Sequence, residues 1–96
     1  MRLRDGTATV ILRGDLDLAS RPLLASRLAQ VLAGKPQRLV FDLARVGVVD
    51  CGTARLIAGC SRDLPGHARP VIWSPAPPVR RMLELTGLDA RCEVLG

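Results

Sequence analysis

The sequence is poor in aromatic residues, with one tryptophan, one phenylalanine and no tyrosine among its 96 residues. Proteins that bind single-stranded nucleic acids stack successive bases on aromatic side chains. This chain has almost nothing from which such a platform could be built. Its net charge is +5, but the arginines are scattered along the chain and form no basic stripe. The sequence therefore argues against nucleic acid as a partner.

Long apolar runs are also missing from the sequence. No stretch approaches the roughly 20 residues that a transmembrane helix needs. Met1 is followed by Arg2 and Arg4, without the apolar core of a signal peptide. We therefore expect a cytoplasmic protein that does not bind a membrane.

The cysteines and the single histidine do not form a recognisable reactive group. Cys51, Cys60 and Cys92 are an odd number and lack C-x-x-C spacing, unlike a disulfide framework or a four-ligand zinc site. His67 lies in a Pro-Gly-His turn with no partner motif for a catalytic thiol. The sequence also has no glycine-rich phosphate loop or nucleophile elbow. We expect reduced thiols, no metal, no cofactor and no enzymatic activity.

Hydrophobic periodicity predicts alternating strands and helices within one domain over residues 1–96. Asp5-Gly6 separates the β-rich segments 1–4 and 7–13 and is typical of a two-residue hairpin turn. Helical spacing predicts helices near 20–33, 51–64 and 78–86, the first capped by Ser20, and apolar runs predict strands at 39–43, 69–74 and 91–95. The predicted fold is therefore α/β, with a mixed sheet of about five strands and three helices.

The predicted core follows from the apolar positions of these elements. It comprises Ile11, Leu24, Leu28, Val40, Leu56, Ile57, Ile72 and Leu83. The strand at 39–43 is expected at the centre of the sheet because its apolar run is nearly continuous.

Three short segments, in this order, resemble the STAS family, which is named for sulphate transporters and anti-sigma factor antagonists. They are Gly-Asp-Leu-Asp at 14–17, Asp-Leu at 42–43 leading to Val-Asp at 49–50, and Val-Arg-Arg-Met-Leu-Glu-Leu-Thr-Gly-Leu at 79–88. The resemblance covers nearly the whole chain and is to the anti-sigma factor antagonist type. Members of the family usually carry a further C-terminal helix, which we expect to be absent here because the sequence ends at Gly96.

The resemblance implies a bacterial transcription regulator that binds an anti-sigma factor, itself a kinase. In the family, phosphorylation of a serine that follows the equivalent of Asp50 breaks the complex, and the usual pattern is Asp-Ser-Ser-Gly or Asp-Ser-Thr-Gly. This chain has Asp50, Cys51, Gly52 and Thr53 instead. Cys51 therefore replaces the usual phospho-acceptor, and Thr53 carries the only hydroxyl nearby.

The resemblance also assigns a partner-binding face, which comprises Asp15, Asp17, Asp50, Cys51, Gly52 and Thr53. The residues themselves leave alternatives open. Asp15 and Asp17 are either partner contacts or solvated turn acids, and Asp50 is suited to cap the second helix. Cys51 is either a small packed residue or a redox-sensitive thiol, and Thr53 is either a displaced phospho-acceptor or an inward-facing helical residue.

Two functions are therefore compatible with the sequence. The first is a protein-binding regulatory domain that sequesters an anti-sigma factor. The alternative is a sensory STAS module that binds a small ligand such as a nucleotide.

Overall fold

A computed structural model of the chain describes residues 2–96, without the side chains of residues 2–4. Met1, which the hairpin prediction included, lies outside the described residues. The α-helices are α1 (Arg21–Ala33), α2 (Cys51–Gly59) and α3 (Pro77–Thr86). The strands are β1 (Arg2–Arg4), β2 (Thr7–Leu16), β3 (Arg38–Val49), β4 (Val71–Trp73) and β5 (Glu93–Leu95). The α/β class with three helices is confirmed.

The strands form one sheet in the order β1-β2-β3-β4-β5. Strands β2 to β5 are parallel, whereas β1 runs antiparallel to β2. Asp5 and Gly6 have φ angles of 51° and 79°, as expected for the predicted two-residue hairpin turn. The expected mixed sheet of about five strands is confirmed only in part, because its body is four parallel strands and β1 adds three residues. The predicted central position of β3 is confirmed.

The three helices cover one face of the sheet. Each helix connects neighbouring parallel strands in the same direction, and right-handed connections of this kind place all of them on one side. The burial pattern agrees, because the row Ile11, Asp42, Trp73 and Leu95 on the opposite face is at least partly exposed. The core therefore lies between the sheet and one layer of helices.

The core contains side chains from both layers. Its members include Val10, Leu12, Leu39, Phe41, Leu43 and Ile72 from the strands and Leu24, Leu28, Ile57, Val79 and Leu83 from the helices. The prediction was wrong for Ile11, which is 41% exposed. Val10 and Leu12 face the helices, and the two-residue period of a strand then turns Ile11 to the open face. The same alternation removes Val40 from the core, and Leu56 is only half-buried at its edge.

Several predicted boundaries differ from the observed ones. Helix α2 ends at Gly59, before the predicted residue 64, because the chain tightens into a 3-10 helix at Cys60–Asp63. Strand β2 continues to Leu16, beyond the predicted residue 13, through register shifts on either side of Gly14. Gly14 has a φ angle of 77°, which glycine adopts without steric cost. The strand therefore carries Asp15 to the edge of the site.

The burial pattern predicts a sharp contrast between two apolar substitutions. Leu39 is 1% exposed and Ile11 is 41% exposed. We expect Leu39→Ala to lower the free energy of unfolding by about 2–5 kcal/mol, and Ile11→Ala to cost clearly less. Urea denaturation of the two variants measures both values. Equal losses would contradict the assignment of Ile11 to the open face.

Candidate functional site

The two segments predicted to bind a partner meet at the carboxyl ends of β2 and β3. Asp15 is paired with Val48 and Leu16 with Val49 across the two parallel strands. The Asp50 N–H donates to the Leu16 carbonyl at 2.9 Å. The loop after β2 and the start of α2 are therefore side by side at the edge where open α/β sheets gather their binding loops.

Asp50 caps α2 and uses both of its carboxylate oxygens. Its Oδ1 accepts from the Thr53 N–H at 2.7 Å, and its Oδ2 accepts from Arg21 Nη2 at 2.7 Å. The predicted capping role is confirmed, while contact with a partner stays a prediction. Hydrogen bonds from the side chain and then the backbone of Thr53 lower the pKa of the Asp50 carboxyl, and the Arg21 charge lowers it further.

Arg21 belongs to this site, although the sequence analysis did not select it. Its Nε lies 3.4 Å from Thr53 Oγ1, in addition to the ion pair with Asp50. It therefore connects the start of α1 to the start of α2. Because Asp50 is 29 residues away in the chain, no local pattern connects the two. In the sequence, the only indication of this role is that Arg21 is a basic residue at the junction between the loop after β2 and α1.

The Arg21 guanidinium lies directly over Gly52. A Cβ atom placed on Gly52 would lie 2.5 Å from Nη2, 2.7 Å from Cζ and 2.9 Å from Nη1 of Arg21. No side chain fits there while the guanidinium keeps its two hydrogen-bonding partners. A side chain at position 52 would therefore push the flexible end of Arg21 out of its present place.

Cys51 and Thr53 differ in their access to solvent. Cys51 is half-buried at the first position of α2, whereas Thr53 is fully buried with 0% exposure. The Thr53 side chain therefore faces inward, while its role as a phospho-acceptor stays a prediction. Burial raises the pKa of the Cys60 and Cys92 thiols to about 11, so both remain protonated at neutral pH.

Asp15 and Asp17 are exposed and Leu16 between them is buried, as the two-residue spacing predicted. Asp17 also shapes its own turn. Its Oδ1 accepts from the Ser20 N–H at 3.1 Å, and Ser20 Oγ accepts from the Asp17 N–H at 2.9 Å. The predicted capping of α1 by Ser20 was wrong: Ser20 makes no side-chain bond to α1, because its own backbone is helical, with φ −86° and ψ −12°, whereas a capping residue has a non-helical backbone. Asp17 is therefore a turn-forming acid that remains exposed.

Two exposed apolar side chains accompany these acids. Leu18 is 72% exposed in the loop after β2, and Val48 is 54% exposed beside Asp15. Sequence reasoning missed both. The sequence feature that could have indicated an exposed contact at Leu18 is an isolated apolar residue between Asp17 and the start of α1. We call Asp15, Asp17, Leu18, Val48 and the segment 50–52 the acidic-loop face.

Neither a metal centre nor a membrane-spanning helix is found in the described part of the chain. Within residues 2–96, no three His, Cys, Asp or Glu side chains are grouped closely enough to hold a metal ion. Of the helices described, none has both the length and the apolar character that crossing a bilayer requires.

A sheet of parallel strands with binding loops at its carboxyl edge defines a class of small α/β domains. This chain belongs to the STAS domain family, because the family model described as "Mlab, STAS domain" matches residues 1–96. The resemblance seen in the sequence is confirmed. Among curated proteins, none matches the sequence significantly.

Solved structures share the fold over nearly the whole chain. An anti-sigma factor antagonist from Mycobacterium paratuberculosis has a TM-score of 0.87 and 26% identity, covering 98% of this chain and 80% of that one. A Thermotoga maritima protein described as a putative anti-sigma factor antagonist has a TM-score of 0.87 and 18% identity, and the match covers 99% of this chain and 83% of that one. The anti-sigma factor antagonist SpoIIAA in its unphosphorylated form has a TM-score of 0.81 and 20% identity, and the match covers 98% of this chain and 84% of that one. The Bacillus SpoIIAA in its phosphorylated form has a TM-score of 0.71 and 19% identity, and the match covers 98% of this chain and 86% of that one.

The contact between Arg21 and Gly52 predicts strong coupling between these positions. Alanine is a better helix former than glycine, by roughly 0.5–1 kcal/mol in the middle of a helix, so Gly52→Ala in the first turn of α2 should stabilise an Arg21→Ala background by up to about that amount. With Arg21 present, the new methyl group displaces the guanidinium from Asp50, and the stabilisation should disappear. A double-mutant cycle of urea unfolding measures the coupling. Additivity within about 0.5 kcal/mol would show that the two residues are independent.

The hydrogen bonds to Asp50 predict a dependence of stability on pH. A lowered folded-state pKa stabilises the fold above the unfolded pKa of about 3.9, and this contribution is lost as pH falls through the folded pKa. We therefore expect Asp50→Asn to flatten the pH dependence of unfolding below about pH 4. Asp63→Asn, which changes an exposed acid outside the site, is the matched control. An identical acid-side slope in wild type and Asp50→Asn would contradict this prediction.

Proposed function

We propose that this STAS domain is a regulatory protein-binding module that sequesters a kinase-type anti-sigma factor through the acidic-loop face. The observation that carries the proposal is the juxtaposition of the loop after β2 with the start of α2, fixed by the Leu16–Asp50 main-chain bond. Structural similarity to anti-sigma factor antagonists supports it. The domain acts by binding, and no catalytic step is part of the proposal.

The face offers both an apolar contact and charge. Leu18 is 72% exposed, and burying such a side chain fully is worth about 1.5–3 kcal/mol. Asp15 and Asp17 surround it with exposed carboxylates, which favour a partner that presents basic side chains. Asp50 contributes less charge than the sequence suggests, because Arg21 is paired with it at 2.7 Å.

We further propose that phosphorylation at position 51 does not switch this domain off. Residue 51 is a cysteine, so a kinase that phosphorylates a serine hydroxyl has a thiol at this position instead of its acceptor. The neighbouring hydroxyl of Thr53 is buried, so a displaced switch would require α2 to open at its first turn. The acidic-loop face therefore remains competent to bind.

Binding is tested with the purified kinase-type anti-sigma factor encoded nearest to this gene. Leu18→Asp removes the apolar contact and adds a charge, and we expect it to weaken the complex at least about tenfold, equivalent to about 1.4 kcal/mol. Leu85→Asp is the matched control, because Leu85 is 80% exposed on α3, away from this face. Isothermal titration calorimetry measures both. Equal affinities of the two variants would show that the partner binds elsewhere.

The switch is tested by phosphorylation with the same kinase and ATP, mapped by mass spectrometry. We expect no phosphate on the wild-type domain and stoichiometric phosphate on residue 51 of Cys51→Ser, because that change restores a hydroxyl at the family's acceptor position. Loss of kinase binding should then follow only in the phosphorylated variant. Phosphate on wild-type Thr53 or on Ser20 would overturn the proposal of a permanently competent face.

Nucleotide binding remains the alternative function. Calorimetry of the domain alone with ATP and GTP tests it on the same material. A saturable isotherm in the absence of any anti-sigma factor would favour the sensory function over sequestration.

A further inference from the structure

Arg21 occupies an electrostatically unfavourable position in its own helix. It is the first residue of α1, and the first turn of α1 contains no acidic residue. The N-terminus of a helix carries a partial positive charge, which stabilises anions and destabilises cations near it. The formation of α1 therefore gives no reason for an arginine at this position.

The tertiary structure brings a second positive helix end to the same side chain. The Arg21 guanidinium lies over Gly52, which is in the first turn of α2. Among residues 2–96, Asp50 is the one acid that forms an ion pair with Arg21. Two helix ends thus disfavour the charge of Arg21, and the Asp50 carboxylate compensates for it. A side chain that violates local preference in this way is expected where it serves function.

The ion pair changes what a partner meets at the start of α2. Both oxygens of the Asp50 carboxylate are already used, Oδ1 by the Thr53 N–H and Oδ2 by Arg21. The side chains of Arg21 and Asp50 are 32% and 34% exposed, so the pair lies at the surface. At distances well beyond the 2.7 Å that separates them, the two opposite charges nearly cancel. The start of α2 is therefore presented as a nearly neutral surface.

The loop after β2 keeps its charge. Asp15 and Asp17 are exposed, and within the described part of the chain neither forms an ion pair. The negative charge available to a partner is thus confined to one side of the acidic-loop face.

We propose that Arg21 is a specificity-determining residue of the acidic-loop face, because it withholds the Asp50 carboxylate from the partner. With the ion pair intact, the face selects a partner whose basic side chains reach Asp15 and Asp17. It gives no advantage to a partner that places a cation at the start of α2. This inference rests on the proposed function and adds to it the residue that limits the charge of the face.

The inference is tested by the kinetics of association with the kinase-type anti-sigma factor. Arg21→Ala exposes the charge of Asp50, and we expect the association rate constant at low salt to rise at least about threefold, as for one added charge about 6 Å from a cation in water. The rise should shrink at high salt. Arg27→Ala is the matched control, because it removes the same charge from an exposed position about 9 Å further along α1. Equal rises in the two variants would reduce the effect to net charge and overturn the inference.

A double variant separates this electrostatic role from a positional one. Arg21→Ala, Asp50→Asn has no charge at either position and keeps a good helix cap, so its association rate should return close to the wild-type value. Arg21→Lys keeps the positive charge without the planar fork of donors and should also bind like the wild type. If Arg21 acted only by holding α1 against α2, Arg21→Ala would bind more weakly and the double variant would not recover. That result would overturn the inference.

Leu18→Asp, measured beside these variants, distinguishes a failure of this inference from a failure of the proposed function. If Leu18→Asp weakens the complex while Arg21→Ala associates at the wild-type rate, the binding face stands and the inference about Arg21 falls. If Leu18→Asp and the variants of Arg21 and Asp50 all bind like the wild type, the partner binds elsewhere and both fall. Urea unfolding of each variant confirms that the compared proteins are folded.

Discussion

The parallel pairing of β2 with β3 is the constraint on which the site depends. It brings the Leu16 carbonyl within 2.9 Å of the Asp50 N–H, and the loop after β2 thereby reaches the first turn of α2. The two strands are the longest in the sheet and are joined through α1. Because β3 is also the central strand, the position of the site is fixed by the most extensively paired part of the protein.

The ion pair between Arg21 and Asp50 sets the balance of charge where the start of α1 meets the start of α2. One carboxylate serves both as a helix cap and as the counter-ion of an arginine from the preceding helix. Gly52 allows the guanidinium to lie against the backbone of α2. The acidic character of the acidic-loop face therefore comes mainly from Asp15 and Asp17, and recognition of a basic partner would depend on that loop.

The single layer of helices leaves two parts of the sheet available for contacts. One is the open face, where Ile11, Trp73 and Leu95 are partly exposed. The other is the outer edge of β2, where β2 contributes the exposed Arg13 and α1 contributes the exposed Leu23 and Arg27. Burial also separates two neighbouring residues of α2, since the Thr53 side chain is enclosed with its hydroxyl beside Arg21, and Cys51 is the residue left near solvent.

The sequence by itself determined the features that depend on neighbours along the chain. These are the hairpin turn at 5–6, the three amphipathic helices, the inward Leu16 and the capping role of Asp50, because each follows from local backbone preference or from a periodicity of two or 3.6 residues. Family motifs identified the loops of the site. The tertiary structure alone decided that Ile11 is exposed, because apolar character does not say which face of a strand the helices will cover. It also decided the contacts of Arg21 and the burial of Thr53, since these arise where segments about 30 residues apart meet, and no local pattern encodes that distance.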